Sequence, residues 1–196
     1  SIVQITDKVI TPFPHTVELA HFQPSALPQN MLHKIEAVVK KAIKAIGIDN
    51  TGSHAELKVT KDGPKMIEIG ARLGGDYISS YLTSLSTGIN MNKAAAQVAM
   101  GEIPDLKSTQ QRFSGIKYIN WEAGKTVKKI QPLEPFLQKN KVAHAGIMVK
   151  VGDTFPVIEK SSNRHAFVIT SAMDGKKLHQ NLNALEKEAL KLVEYQ

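Results

Sequence analysis

The sequence predicts an α+β fold: a mainly antiparallel sheet with packed helices, followed by a small β-rich part that ends in a helix. Three observations carry this. Two stretches place apolar residues at helical three-and-four spacing, residues 53–71 alternate apolar and polar around a turn, and from Gln111 onward the pattern breaks into short strands. With 196 residues, 42% of them hydrophobic and 22% charged, the chain has the balance of a folded protein with one or two cores, not of a disordered one.

Taken in order, Ile2 to Ile10 reads as a strand whose polar cluster Thr6-Asp7-Lys8 projects functional groups, and Thr11-Pro12-Phe13-Pro14 breaks it. Thr16 to His21 is a second strand, ended by Gln23-Pro24-Ser25. A helix follows between Pro28 and Gly47, because Leu32, Ile35, Val38, Val39, Ala42, Ile43 and Ile46 form one stripe, with lysines outside it and Gly47 as stop. Ser53 to Thr60 and Lys65 to Ala71 form a hairpin, and Tyr77 to Leu85 and Asn90 to Gly101 form two short helices separated by Gly88. Arg112 to Asn120, Lys125 to Ile130, Val142 to Val151 and His165 to Thr170 read as strands. Asp174 caps a final helix that buries Leu178, Leu182, Leu185, Ala189 and Leu192. The loop Glu102 to Gln111, with Pro104, suggests a boundary, giving domains 1–105 and 106–196.

Composition narrows the chemistry. Cysteine is absent, which removes disulfides, Cys-ligated zinc, iron–sulfur clusters and thiol nucleophiles. Twenty-five Lys and Arg against 18 Asp and Glu give a net charge of +7, a balance that attracts phosphates. The basic balance, with a pI of about 9.5, makes a basic nucleic-acid-binding or scaffold domain the competing reading, but the basic residues are dispersed, with no polybasic run, so nucleic acid is not the expected partner. No apolar window reaches membrane-spanning length, so no membrane is expected and the chain reads as cytoplasmic. Neither a Gly-x-x-x-x-Gly-Lys loop, a Gly-x-Gly-x-x-Gly fingerprint, nor a Gly-x-Ser-x-Gly elbow occurs.

The hairpin carries the most specific signal. In Ser53 to Thr60 the even positions are polar, and the partner strand likewise sets Ile67, Ile69 and Ala71 against Met66, Glu68, Gly70 and Arg72. Packing needs both apolar sets on one face, so a three-residue loop, Lys61-Asp62-Gly63, would pair Thr60 with Pro64, Leu57 with Ile67, and Glu56 with Glu68. Two carboxylates opposite one another repel, and a Mg²⁺ ion, which takes one or two carboxylates plus substrate phosphates, would turn repulsion into coordination. The bland alternative is a solvated sheet face, with Lys58 between the carboxylates. His54, Gly70 and Arg72 lie on the same face.

These residues, His54-Ala55-Glu56-Leu57-Lys58-Val59 and Ile67 to Asp76, resemble the C-terminal lobe of the ATP-grasp superfamily. With Ile5-Thr6-Asp7-Lys8 and His21-Phe22-Gln23-Pro24-Ser25, the resemblance is greatest to amino acid ligases of the bacilysin-synthetase type. It covers about the first hundred residues well and the rest only in the order of strands and a last helix. It implies the C-terminal part of an ATP-dependent carboxylate–amine ligase acting through an acylphosphate, with ATP as co-substrate and Mg²⁺ (or Mn²⁺). Glu56 and Glu68 would hold the metal and meet the ATP phosphates, Lys8 would meet a phosphate, and Arg72 would be catalytic. His21, Arg72 and Asp76 would line the substrate pocket, and the acid at Asp76 would favour a cationic amine.

The family's usual Asn is Gly70 here, as in the amino acid ligase branch, leaving fewer ligands for a second metal. Nothing resembles the N-terminal ATP-grasp lobes, and the chain opens at Ser1 on a strand-like segment. It is therefore expected to be part of a longer ligase, to need those lobes as partners, and to be inactive alone. Carboxylate and amine identity are open, as is a homodimer. A biotin-dependent carboxylase shares the superfamily's hairpin and is a further alternative. Phe113, Tyr118 and Trp121 are expected as core residues or, on the competing reading, as base-stacking ones, and Asn163-Arg164-His165 as a hairpin entry or a site contact.

Overall fold

The computed structural model describes residues 1–140 and 142–196. Its contacts divide the chain into two compact units, Ser1–Ile5 with Pro24–Gln111, and Thr6–Gln23 with Arg112–Gln196. This division differs from the expected domains 1–105 and 106–196 at two places: residues 106–111 group with the first unit, and residues 6–23 with the second. Residues 6–23 belong with the second half because their strand pairs there.

In the first unit, α1 (Gln29–Ile46) is the helix the apolar stripe requires. Pro28 stands at its N-cap, and Gly47 ends it in the left-handed conformation with φ 72°, its N–H donated to the Ile43 carbonyl. Of the stripe, Ile35 and Val39 are buried and Ile46 is exposed at the helix end. The hairpin β3 (His54–Thr60) and β4 (Gly63–Gly70) is antiparallel. Instead of a regular helix from Tyr77, a π-helical turn at Ile78–Leu82 runs into α2 (Thr83–Thr87), and α3 (Met91–Ala99) follows with Asn90 capping the Lys93 N–H. Gly88, at φ 81°, lets the chain pass Thr109, whose hydroxyl would lie 1.9 Å from any Cβ placed there.

The second unit is built on a five-stranded antiparallel sheet. Its strands are β1 (Asp7–Ile10), β2 (Glu18–Gln23), β5 (Phe113–Ile119), β7 (His144–Ile147) and β8 (Ala166–Ala172), in the spatial order β1-β2-β5-β8-β7. The strands expected over 2–10 and 142–151 are therefore shorter. β6 (Val127–Ile130) pairs with β9 (Val193–Tyr195), and between β6 and β7 lies α4 (Leu133–Asn140). Asp174 caps α5 (Gly175–Ala189) through its bond from the Lys177 N–H, and Leu178, Leu182, Leu185 and Ala189 are buried as the stripe predicts. Against them pack Ile119, Trp121, Phe136, Phe155 and Val168 in the main core. Tyr118 and Trp121 are buried and Phe113 packs on that core, so these aromatics serve the interior rather than a base-stacking surface.

Candidate functional site

The hairpin brings its two carboxylates together by a route the alternation did not foresee. The turn holds two residues, Lys61 and Asp62, and pairs Thr60 with Gly63, Val59 with Pro64, Lys58 with Lys65 and Leu57 with Met66. Continued unbroken, that register would set Glu56 against Ile67 and send Glu68 to the opposite face. A bulge between the Glu56 and Leu57 rungs absorbs Ile67, and the register resumes with Glu56 opposite Glu68, Ala55 opposite Ile69 and His54 opposite Gly70. The expected three-residue loop, with Thr60 on Pro64 and Leu57 on Ile67, is thus corrected, while the carboxylate pair stands. Ile67 is left 65% exposed.

Each carboxylate has a cationic or polar neighbour. His54 Nε2 lies 3.4 Å from a Glu56 carboxylate oxygen, and an Arg72 guanidinium nitrogen lies 3.4 Å from Glu68. Glu56 is the more sheltered of the two. Gly74 is glycine for a local reason. A Cβ there would meet His54 Nδ1 at 2.8 Å, so the backbone closes directly on the imidazole, whereas Gly75 faces open space. Asp76 and Tyr77 then both occupy the left-handed region, at φ 49° and 61°, which costs non-glycine residues about 1 kcal/mol or more each. The segment joining Arg72 to the next helix is strained next to the carboxylate pair.

Lys8 and His21 belong to the second unit. They face one another across the β1–β2 pair, and His21 is buried. Lys8 Nζ is 3.5 Å from Glu18, whose other carboxylate oxygen accepts from the Ser161 hydroxyl. Arg164, also buried, lies with its guanidinium carbon 3.7 Å above the Tyr118 ring and donates through Nε to the Ser161 carbonyl and through a terminal nitrogen to the Glu18 carbonyl. The sequence pattern gives no sign that Ser161 and Arg164 would partner Glu18, the carboxylate beside Lys8. The residues are some 140 positions apart, and only the β2–β5–β8 pairing brings them together. His165, next in sequence, is a core residue, with Nδ1 accepting from the Trp121 N–H and Nε2 on the Pro156 carbonyl.

Among the described residues, no group of three or more His, Asp or Glu forms a protein-only metal cage. The donor set fits a different mode. Mg²⁺ is commonly held by one or two carboxylates with phosphate oxygens and water filling its octahedron, and two opposed carboxylates, Glu56 and Glu68, are what that mode asks of a protein.

Residues 1–80 match the family model described as ATP-grasp domain. The fold is ATP-grasp. Over 99% of its length the chain is similar to the L-amino acid ligase of Bacillus licheniformis, at 26% identity and a TM-score of 0.81, and it covers 50% of that protein's chain. Carnosine synthase 1 of Gallus gallus is 27% identical over 127 residues, which is 63% of this chain and 14% of that enzyme. The alanine–anticapsin ligase of Bacillus subtilis (strain 168) is 36% identical over 74 residues, 37% of this chain and 15% of that enzyme. The chain thus spans about half of the solved ligase, and its matches cover only a small part of these two relatives.

Proposed function

We propose that the chain is the metal- and carboxylate-handling part of an ATP-dependent carboxylate–amine ligase. The carrying observation is the pair Glu56 and Glu68, opposed across the hairpin with Arg72 on Glu68. Similarity to an L-amino acid ligase along almost the whole chain supports it. In this reading a substrate carboxylate oxygen attacks the γ-phosphorus of ATP and ADP leaves. An amine then attacks the acylphosphate carbon, phosphate leaves and an amide forms.

Glu56 and Glu68 would hold Mg²⁺ or Mn²⁺. The ion, when bound, neutralises charge on the β- and γ-phosphates. Arg72 would stabilise the charge that grows on the transferring phosphoryl group, and Lys8 would meet a phosphate. Arg72 and Asp76 would line the substrate pocket, where the Asp76 carboxylate favours a cationic amine. The adenine end of ATP would be covered by ATP-grasp lobes outside these 196 residues.

The test is metal-dependent phosphate release from ATP against a panel of amino acids, run on the chain joined to such lobes and repeated with Glu68→Gln. Release stimulated by particular amino acids and lost in the variant supports the ligase. A folded, ATP-binding protein that answers no amino acid discards the peptide-forming reading.

A further inference from the structure

We propose that Lys58 and Lys65 form an anion-binding rung that takes the polyphosphate of a divalent-metal complex whose metal sits on Glu56 and Glu68. The inference rests on the metal reading of that carboxylate pair and adds a second, cationic half to the site.

The hairpin register carries it. Lys58 stands directly opposite Lys65, and alternation along β3 puts both lysines on the face that carries Glu56 and Glu68. The two rungs are two residues apart, roughly 7 Å along the strands. Like charges placed opposite each other destabilise a hairpin, and here the same face holds two such rungs of opposite sign.

The same sequence has a register that avoids the lysine rung. A three-residue loop without the bulge pairs Lys58 with Met66 and returns Ile67 to the apolar face opposite Leu57. The molecule instead keeps the lysines opposed and leaves Ile67 65% exposed. Nor is the repulsion relieved within the protein. Both lysines are exposed, and among the described residues neither is within ion-pair distance of a carboxylate, unlike Lys8, Lys40, Lys117, Lys129, Lys139 and Lys191. A metal-bound polyphosphate complements both rungs at once, its cation on the carboxylates and its trailing oxygens on the ammonium groups. A nucleotide triphosphate and a bare chain of phosphates share that chemistry.

The test uses the 196-residue chain. Mn²⁺ binding is followed by electron paramagnetic resonance, and tripolyphosphate and ATP binding in the presence of Mn²⁺ by calorimetry. Four proteins are compared: wild type, Lys58→Ala/Lys65→Ala, Lys58→Arg/Lys65→Arg and, to control for general charge, Lys176→Ala/Lys177→Ala. The expected result is unchanged Mn²⁺ binding in all four. Affinity for tripolyphosphate falls about tenfold or more in the Lys58/Lys65 alanine pair, and is retained in the arginine pair and the control. Tighter binding of ATP than of tripolyphosphate assigns the rung to a nucleotide tail, and equal binding assigns it to phosphate alone.

Mn²⁺ binding with polyphosphate affinity untouched by the alanine pair overturns the rung and leaves the ligase reading standing. Lysine-dependent polyphosphate binding without Mn²⁺ binding keeps the cationic rung and overturns the metal reading. No polyphosphate binding, or an equal loss in the control, overturns the rung.

Discussion

Glu68 is the residue on which the proposed chemistry turns and one on which the fold depends little, being well over half exposed with Arg72 as its charged neighbour. Glu68→Gln removes a charge without changing shape. It is expected to lower phosphoryl-transfer activity by about 10²-fold or more while shifting unfolding free energy by no more than about 0.5 kcal/mol. Parallel activity assays and chemical denaturation check both halves. His165 is the opposite case, buried and committed to the interior. Burial lowers its pKa below the ordinary 6.5, with the bond to the Pro156 carbonyl opposing in part. The folded protein therefore binds fewer protons here than the unfolded chain. The contribution of His165 is complete above about pH 6.5 and is lost as pH falls through the lower, folded-state value. Acid also removes the acceptor that Nδ1 offers Trp121. Thermal melts from about pH 8 to pH 5 should show a decline in stability that His165→Asn flattens, with Trp121 fluorescence reporting the same transition. At this scale the sequence was legible where cross-strand parity decides, as in the pairing of Glu56 with Glu68. It was illegible where partners meet only through the sheet, as Glu18, Ser161 and Arg164 do.

Among the elements, the helices were read best because their signals are local. The stripe, Gly47 and the Asp174 cap each act within a few residues. Asp174→Ala is expected to cost about 1 kcal/mol, and Gly47→Ala, at φ 72°, about 1 kcal/mol or slightly more. Urea denaturation followed by circular dichroism measures each. The hairpin shows where local reasoning stops. Parity correctly placed Glu56 opposite Glu68, yet the turn is one residue tighter than parity requires and the bulge at Ile67 makes up the difference. Polar and apolar alternation is blind to such a compensated pair of shifts, since both solutions give the same rungs at the base of the hairpin. α4 and β9 were missed for other reasons. Leu133 to Asn140 begins beside Pro132 and contains Pro135, and Val193–Tyr195 is three residues long, too short to show a period.

For the molecule as a whole, the division of the sheet matters most. β2 lies between β1 and β5, so the second unit is assembled from two stretches of chain with residues 24–111, most of the first unit, inserted between them. No reading that cuts a sequence once could have shown this, because a cut assumes that neighbours in sequence stay together. Residues 112–196 expressed alone would lack β1 and β2 and present β5 as a bare edge next to the core. They are expected to aggregate or remain partly unfolded, whereas the same segment supplied with 6–23 through a short linker should be monomeric and cooperative. Size-exclusion chromatography and thermal melts of the two proteins decide it.

The same division sets a timetable during synthesis. β1 and β2 leave the ribosome ahead of the intervening unit, but the strand that flanks them starts only at Phe113. At ordinary translation speeds that is a wait of roughly 5 to 20 seconds. A lone two-stranded ribbon is barely stable in water, so for this interval the nascent chain carries an uncommitted pair of strands while the intervening unit is free to form. The strands made after the intervening unit must then recover the pair made before it. That ordering favours slow, late completion of the sheet and makes the interval before Phe113 appears the time when chaperones would find the most exposed strand edge.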